Sequence, residues 1–253
     1  MLKRLAVLLA LGPAVAGCAA NPDAEARSIA DAVEPPLRAA AAAAETNHDY
    51  KGAVQHLSTL YQRRAGDRGI GVALARNLRY DGQAQTAADV MQAQLVHFPG
   101  DPDLLTELGK DYLAADRMTL ALRALEQAVA VAPKAWDAYA TLGVALDTQG
   151  RGAEALAAFG RALELSPDNP AVLNNMGLSL ALAGRLDEAV ATLTRAADLP
   201  SANSQVRQNL ALLLAFKGDV AQAEKLARHD LPPDQARANA EILRALAASA
   251  KGQ

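Results

Sequence analysis

WDAYATLGVALDTQGRGAEALAAFGRALELSPDN, residues 136–169, decides how this chain folds. Trp136, Tyr139, Leu142, Gly143 and Leu146 recur at helical spacing. A break at Gln149-Gly150 follows. Ala155, Phe159 and Ala162 then fall on one face of a second helix, which Pro167 stops. The stretch therefore predicts two short amphipathic helices folded back on each other. Neither helix can bury its apolar stripe within one such hairpin, so a single hairpin would not be stable in water.

The pattern returns every thirty-four residues. Six units begin at Glu34, Arg68, Pro102, Trp136, Pro170 and Ser204. One column holds Gly109, Gly143 and Gly177, where the helices of a hairpin are expected to touch backbone to backbone, and Ala121, Ala155 and Ala189 stand opposite. Leu108, Leu142 and Met176 are expected in the core, as are Leu125, Phe159 and Leu193, and Ala128, Ala162 and Ala196 complete the pattern. Pro133 and Pro167 close second helices, while Pro200 comes one residue early. The outer units are worn but in phase: Ala75, Ala87 and Pro99 keep the columns in the second unit, and Ala41, Ala53 and DYKGAV at 49–54 in the first. A hairpin of this period resembles the tetratricopeptide repeat, which implies an all-α solenoid of stacked helical hairpins with atypical end units. The expected solenoid spans 34–231, with its first, second and last units degenerate. After a short final second helix ending at His229-Asp230, LPPD at 231–234 restarts a helix, so 232–253 reads as a C-terminal capping helix and tail with Ile242, Leu243 and Leu246 on one apolar edge. That helix would shield the end of the array, and its exposed face could also dock a partner.

Composition agrees with packed helices. The 253 residues are 51% hydrophobic but only 4% aromatic, rich in Ala and Leu rather than in the β-branched and aromatic residues of sheets. The net charge of −3, with no basic block, argues against a nucleic-acid partner.

The N-terminus carries a different message. Lys3-Arg4 precede an apolar run from Leu5 to Ala16 that ends in VAGC at 15–18. A charged start, a short apolar core and small residues before a cut site are the parts of a secretory signal peptide, and the run falls short of the ~20 residues of a membrane span. VAGC resembles the lipobox of bacterial lipoproteins. That resemblance implies cleavage after residue 17 and lipidation of Cys18, the single cysteine of the chain, so no internal disulfide can form. Ala19 in place of an aspartate implies sorting to the outer membrane, with the protein facing the periplasm. Residues 18–33 read as a lipidated tether reaching at most ~50 Å.

No catalytic constellation is legible. His48, His56, His97 and His229 lie in separate units or at non-metal spacing, and no glycine-rich phosphate loop follows a strand. The reading is of a non-enzyme with no cofactor, no metal and no small-molecule substrate. Binding of protein partners is the work such an array can do. In a tetratricopeptide superhelix the first helix of each pair lines the concave groove, which by resemblance places Arg76, Arg79, Tyr80, Lys110, Asp137, Asp147, Thr148, Asn174, Gln208 and Phe216 on the inner surface. Arg76, Arg79 and Lys110 would form a basic strip able to meet an acidic segment or a C-terminal carboxylate. The two-carboxylate clamp of chaperone-binding members is absent. Asn175 stands at its central place, but Ala140, Val144, Gln205 and Asn209 occupy the flanking ones.

The tail VRQNLALLLAFKGDVAQAEKLARHDLPPDQARANAEILRAL, 206–246, looks like the C-terminal region of the TadD lipoproteins of the tight-adherence (Flp pilus) machine. Lipobox, tether, repeat count and length agree. The resemblance implies a non-catalytic outer-membrane lipoprotein that helps the pilus or its secretin assemble. Another tetratricopeptide envelope adaptor, a type IV pilus pilotin or a recruiter of peptidoglycan enzymes, is the alternative.

Overall fold

The computed structural model describes residues 22–250, with side chains described for 33–248. The expected signal peptide at 1–17 and the expected lipidation site Cys18 lie outside the described residues. Thirteen helices follow one another with no strand among the described residues: α1 (Pro22–Thr46), α2 (Tyr50–Arg63), α3 (Arg68–Tyr80), α4 (Ala84–His97), α5 (Pro102–Ala114), α6 (Met118–Val131), α7 (Trp136–Thr148), α8 (Gly152–Leu165), α9 (Pro170–Leu182), α10 (Leu186–Ala197), α11 (Ser204–Lys217), α12 (Val220–Arg228) and α13 (Pro233–Ala250). Six consecutive hairpins, α1–α2 to α11–α12, match the six units of the sequence. Each first helix packs on its own second helix, and α5, α7, α9 and α11 also pack on both helices of the preceding unit, so the core runs through the array as linked clusters.

Caps repeat with the period. Asp67, Asp101, Asn169 and Asn203 precede α3, α5, α9 and α11, and each side chain accepts a backbone N–H of the first turn. The unit of α7 has Ala135 there and makes no such bond. At the other end of each first helix one residue takes the left-handed conformation: His48, Gly82, Asp116, Gly150, Gly184 and Gly218 lie thirty-four residues apart, all at positive φ. The geometry suits glycine, and a Cβ strains it by about 1–2 kcal/mol. Asp116→Gly is therefore expected to raise stability by about 0.5–1 kcal/mol in urea unfolding, and Gly150→Ala to lower it by a similar or larger amount.

The small columns are occupied as anticipated, with a different reason for one of them. The six alanines Ala53, Ala87, Ala121, Ala155, Ala189 and Ala223 are fully buried. What fills the space at the glycines, however, is a side chain one turn further along the second helix. An ideal Cβ would stand 2.5 Å from Leu125 at Gly109, 2.6 Å from Phe159 at Gly143 and 2.8 Å from Leu193 at Gly177. Leu142 and Met176 are half-buried at the edge of the core, not within it.

Two expectations change at the ends. The tether of 18–33 is helical from Pro22 onward, continuous with α1 through Pro35-Pro36. Within a helix those two prolines leave two carbonyls of the preceding turn without an N–H partner. The capping helix is present as α13, packed on α11 and α12. Leu243 is buried there while Ile242 is 58% exposed, so the apolar edge is divided between core and solvent.

Candidate functional site

Places in each unit are numbered from 1 at its first residue. The first helices α3, α5, α7 and α9 touch in sequence and line one wall. A groove of about 660 Å³ runs along it, bordered by Arg76, Arg79, Tyr80, Lys110, Leu113, Val144 and Asn175 among others. A second hollow of about 240 Å³ continues from Val144 and Asn175 to Asp147, Thr148, Leu178 and Leu182. The two share side chains, so they form one channel. Its lining is drawn mainly from places 6, 9, 12 and 13, which share one face of each helix.

Arg76, Arg79, Tyr80 and Lys110 are brought together, but the strip is not simply basic. Glu107 lies among them. Its Oε2 accepts from Arg79 Nη2 at 2.9 Å, and its Oε1 accepts from Lys110 Nζ at 2.9 Å and from Arg76 Nη2 at 3.5 Å. Arg79 Nη1 also donates to Asp111, whose side chain is fully buried and whose Oδ2 has no hydrogen-bond partner. Arg79 itself is 13% exposed and thus belongs to the wall more than to the surface. Burial alone would raise Glu107, yet Lys110 and Arg79 hold it down at about 2. At Asp111 burial prevails over the pull of Arg79 and pushes the carboxyl up to about 7. The acids lie beneath and the cations above: Arg76 is half exposed and Lys110 about a third, against 10% for Glu107. The channel therefore presents positive charge at this end over a largely compensated base. Tyr80 closes the end, its ring 5.0 Å from that of Tyr50 and 5.9 Å from the Arg79 guanidinium.

Asn174 and Gln208 do not line the channel. Asn174 is buried and accepts from Asn209 Nδ2 at 2.8 Å. Gln208 accepts from Asn239 Nδ2 at 3.0 Å and donates to the Ala227 carbonyl, joining α11 to α13 and α12. Both sit at place 5, about 100° around the helix from the lining at place 6, and bond to neighbouring helices. Asp137 is half-buried and takes no part in either hollow, whereas Asp147 and Thr148 do.

The sequence reading missed Glu107, Asp111, Val144, Leu178 and Leu182. Asp111 had a detectable signal. Place 12 of one unit faces place 10 of the next, as Glu45 with Asn77, Arg79 with Asp111, and Asp147 with Ser179. The apolar residues had one too. Four of the eight exposed large hydrophobic side chains among the described residues, Tyr80, Val144, Leu182 and Phe216, stand at places 9 and 13 of their units. Scattered exposed apolar residues are ordinary, but a row of them is not.

A family model described as the tetratricopeptide repeat matches residues 106–170 and 142–204. No curated protein matches the sequence. Among solved structures the chain is similar to TTC0263, a tetratricopeptide protein of Thermus thermophilus, at 26% identity and TM-score 0.58, over 72% of this chain and 98% of that one. It is also similar to a chain of the Cut9–Hcn1 hetero-tetramer of APC/C, at 15% identity and TM-score 0.66, over 83% of this chain and 43% of that one. Pseudomonas aeruginosa PilF matches at 16% identity and TM-score 0.59, over 79% of this chain and 89% of that one. The last two likenesses are of fold alone.

Proposed function

We propose that this tetratricopeptide-repeat protein is a non-catalytic scaffold that holds a segment of a partner protein in the channel formed by its first helices. The observation that carries the reading is the row of unpaired apolar side chains beside half-exposed cations on one face of the solenoid. Desolvating Val144, Leu178 and Leu182 under a partner returns roughly 25 cal/mol per Å² of apolar surface. A charged rim adds orientation and on-rate more than affinity.

The place of work we propose is the cell envelope, with Cys18 lipidated and the solenoid facing the periplasm from the outer membrane. Lys3-Arg4, the short apolar run and VAGC support it. The partner we propose is the secretin or another assembly component of a tight-adherence (Flp) pilus, on the strength of the tail at 206–246. The experiment is capture from envelopes of cells carrying the full-length protein, compared with a Val144→Asp, Leu182→Asp variant. Leu182 is 81% exposed and Val144 36%, and an unchanged melting temperature is the check that the variant is folded. Recovery of a secretin or pilus component that drops at least tenfold in the variant supports the reading. Recovery of other envelope proteins with the same dependence moves the assignment to a different envelope adaptor, and equal recovery from both removes the channel as the binding surface.

A further inference from the structure

The helix α13 repeats the chemistry of a first helix. It packs against α11 and α12 just as α5, α7, α9 and α11 pack against both helices of their preceding units. Its hydrogen bond fixes the register. Asn209, at place 6, donates to Asn174 at place 5 of the unit before, thirty-five residues away. Asn239 donates to Gln208, also at place 5, thirty-one residues away. The difference of four is one helical turn, and the second helix of the sixth unit is short, nine residues in α12 against twelve in α10. In that register Ala236, Ala240 and Leu243 fall at places 3, 7 and 10, and all are buried.

Two faces of this half-unit then have opposite characters. Places 4, 8 and 11, which bury against a second helix in a full unit, carry Arg237, Glu241 and Arg244. Those charges end the array. Place 9, which lines the channel, carries Ile242 at 58% exposure. Capping alone would leave this place polar. Ile242 instead continues the row of Val144, Leu178 and Leu212, with Leu182 and Phe216 beside it at place 13. The same row in the second and third units is Arg76 and Lys110.

Resting on the channel reading above, we infer that the binding surface extends onto α13 and is polar end to end, so that it takes a partner-protein segment in one direction. The acidic side chains of that segment lie over α3 and α5, and its bulky aliphatic or aromatic side chains lie over α7 to α13. Five steps between adjacent first helices, at ~10 Å each, make a channel of ~50 Å, which ~15 extended residues span.

The test places the photocrosslinker p-benzoylphenylalanine at position 182, 242 or, as a convex control, 96 of the full-length protein in its own cells, and maps the linked residues by mass spectrometry. Carbodiimide joins Lys110 to any carboxylate within reach. The expected result is one partner segment reached from both 182 and 242 but not from 96, with an acidic residue joined to Lys110 about ten or more positions from the residue linked at 242. Ile242→Asp should lower capture from position 182 at least tenfold without moving the melting temperature. The proposal falls if 242 fails to reach the segment captured from 182, if the acids map to the α13 end, or if Ile242→Asp leaves that capture unchanged or unfolds the protein. In those cases capture from 182 still supports the channel. Capture from 182 no different from 96 would remove the channel reading itself.

Discussion

Phe159→Ala is expected to cost about 3–5 kcal/mol, enough to break the array at its centre. Phe159 is 1% exposed, and its ring lies against the backbone of Gly143, where a Cβ would come within 2.6 Å of it. Removing the ring opens a cavity between α7 and α8 that the surrounding helices, held by units on both sides, cannot collapse into. In a quasi-one-dimensional fold such a loss also uncouples the halves, so urea unfolding should separate into two transitions. Gly143→Ala drives the Cβ into the same ring and is expected to cost about 1–3 kcal/mol. The two changes should not add. In the sixth unit the same pair of places is Ala211 and Ala227, both buried. Gly143→Ala made in the Phe159→Ala background should therefore be neutral or stabilising, since the new methyl fills part of the hole and a helical glycine is lost. A double-mutant cycle showing simple additivity would contradict this account of the glycine column.

That column illustrates what was legible in the sequence. Period, hairpin and the buried alanines follow from residue size at fixed spacing, because close helix approach demands small side chains wherever it occurs. The worn units were harder to read, since they satisfy the same contact with different pairs. Places 4 and 27 are Leu173 with Ala196 in one unit, Gly71 with Gln94 in another, and a bidentate Arg207–Asp230 pair in the last, at 2.7 and 2.6 Å. The last two pairs are complementary, although neither member of either resembles the first. The channel was legible in part for a related reason. The resemblance to tetratricopeptide arrays placed Arg76, Tyr80 and Lys110 on the inner surface, but Asn174 and Gln208 were one residue from the lining, and one residue is about 100° of turn. Glu107 and Asp111 were not singled out at all. Their meaning depends on the neighbouring unit, which brings Arg79 to them across twenty-eight and thirty-two residues of sequence.

The partner of those acids carries the second large effect. Arg79→Met should cost about 3–5 kcal/mol at pH 8.5, and about 2 kcal/mol less at pH 5. Glu107 keeps Lys110 and Arg76 when the guanidinium is removed, but Asp111 loses its hydrogen-bonded ion partner and keeps only the weaker pull of Lys110. Its side chain is fully buried with one oxygen already unpartnered, so the ionised form loses the interaction that tolerates it. The direction with pH follows from its folded pKa, about 7, above the ~3.9 of an unfolded aspartate. Between those values the native state binds more protons than the unfolded state, so the Asp111 contribution is full below about pH 4 and is lost as pH rises through 7. Without Arg79 the folded value moves higher still, and the decline continues past pH 8. Glu107, held at about 2, acts with the opposite sign and only below about pH 4, outside this window. Urea unfolding at pH 5 and pH 8.5 separates the possibilities. A penalty equal at both pH values would mean that Arg79 stabilises by packing or through Glu107. Arg79→Met combined with Asp111→Leu should recover most of the loss at pH 8.5, because the cost resides in leaving one buried charge alone rather than in losing the pair.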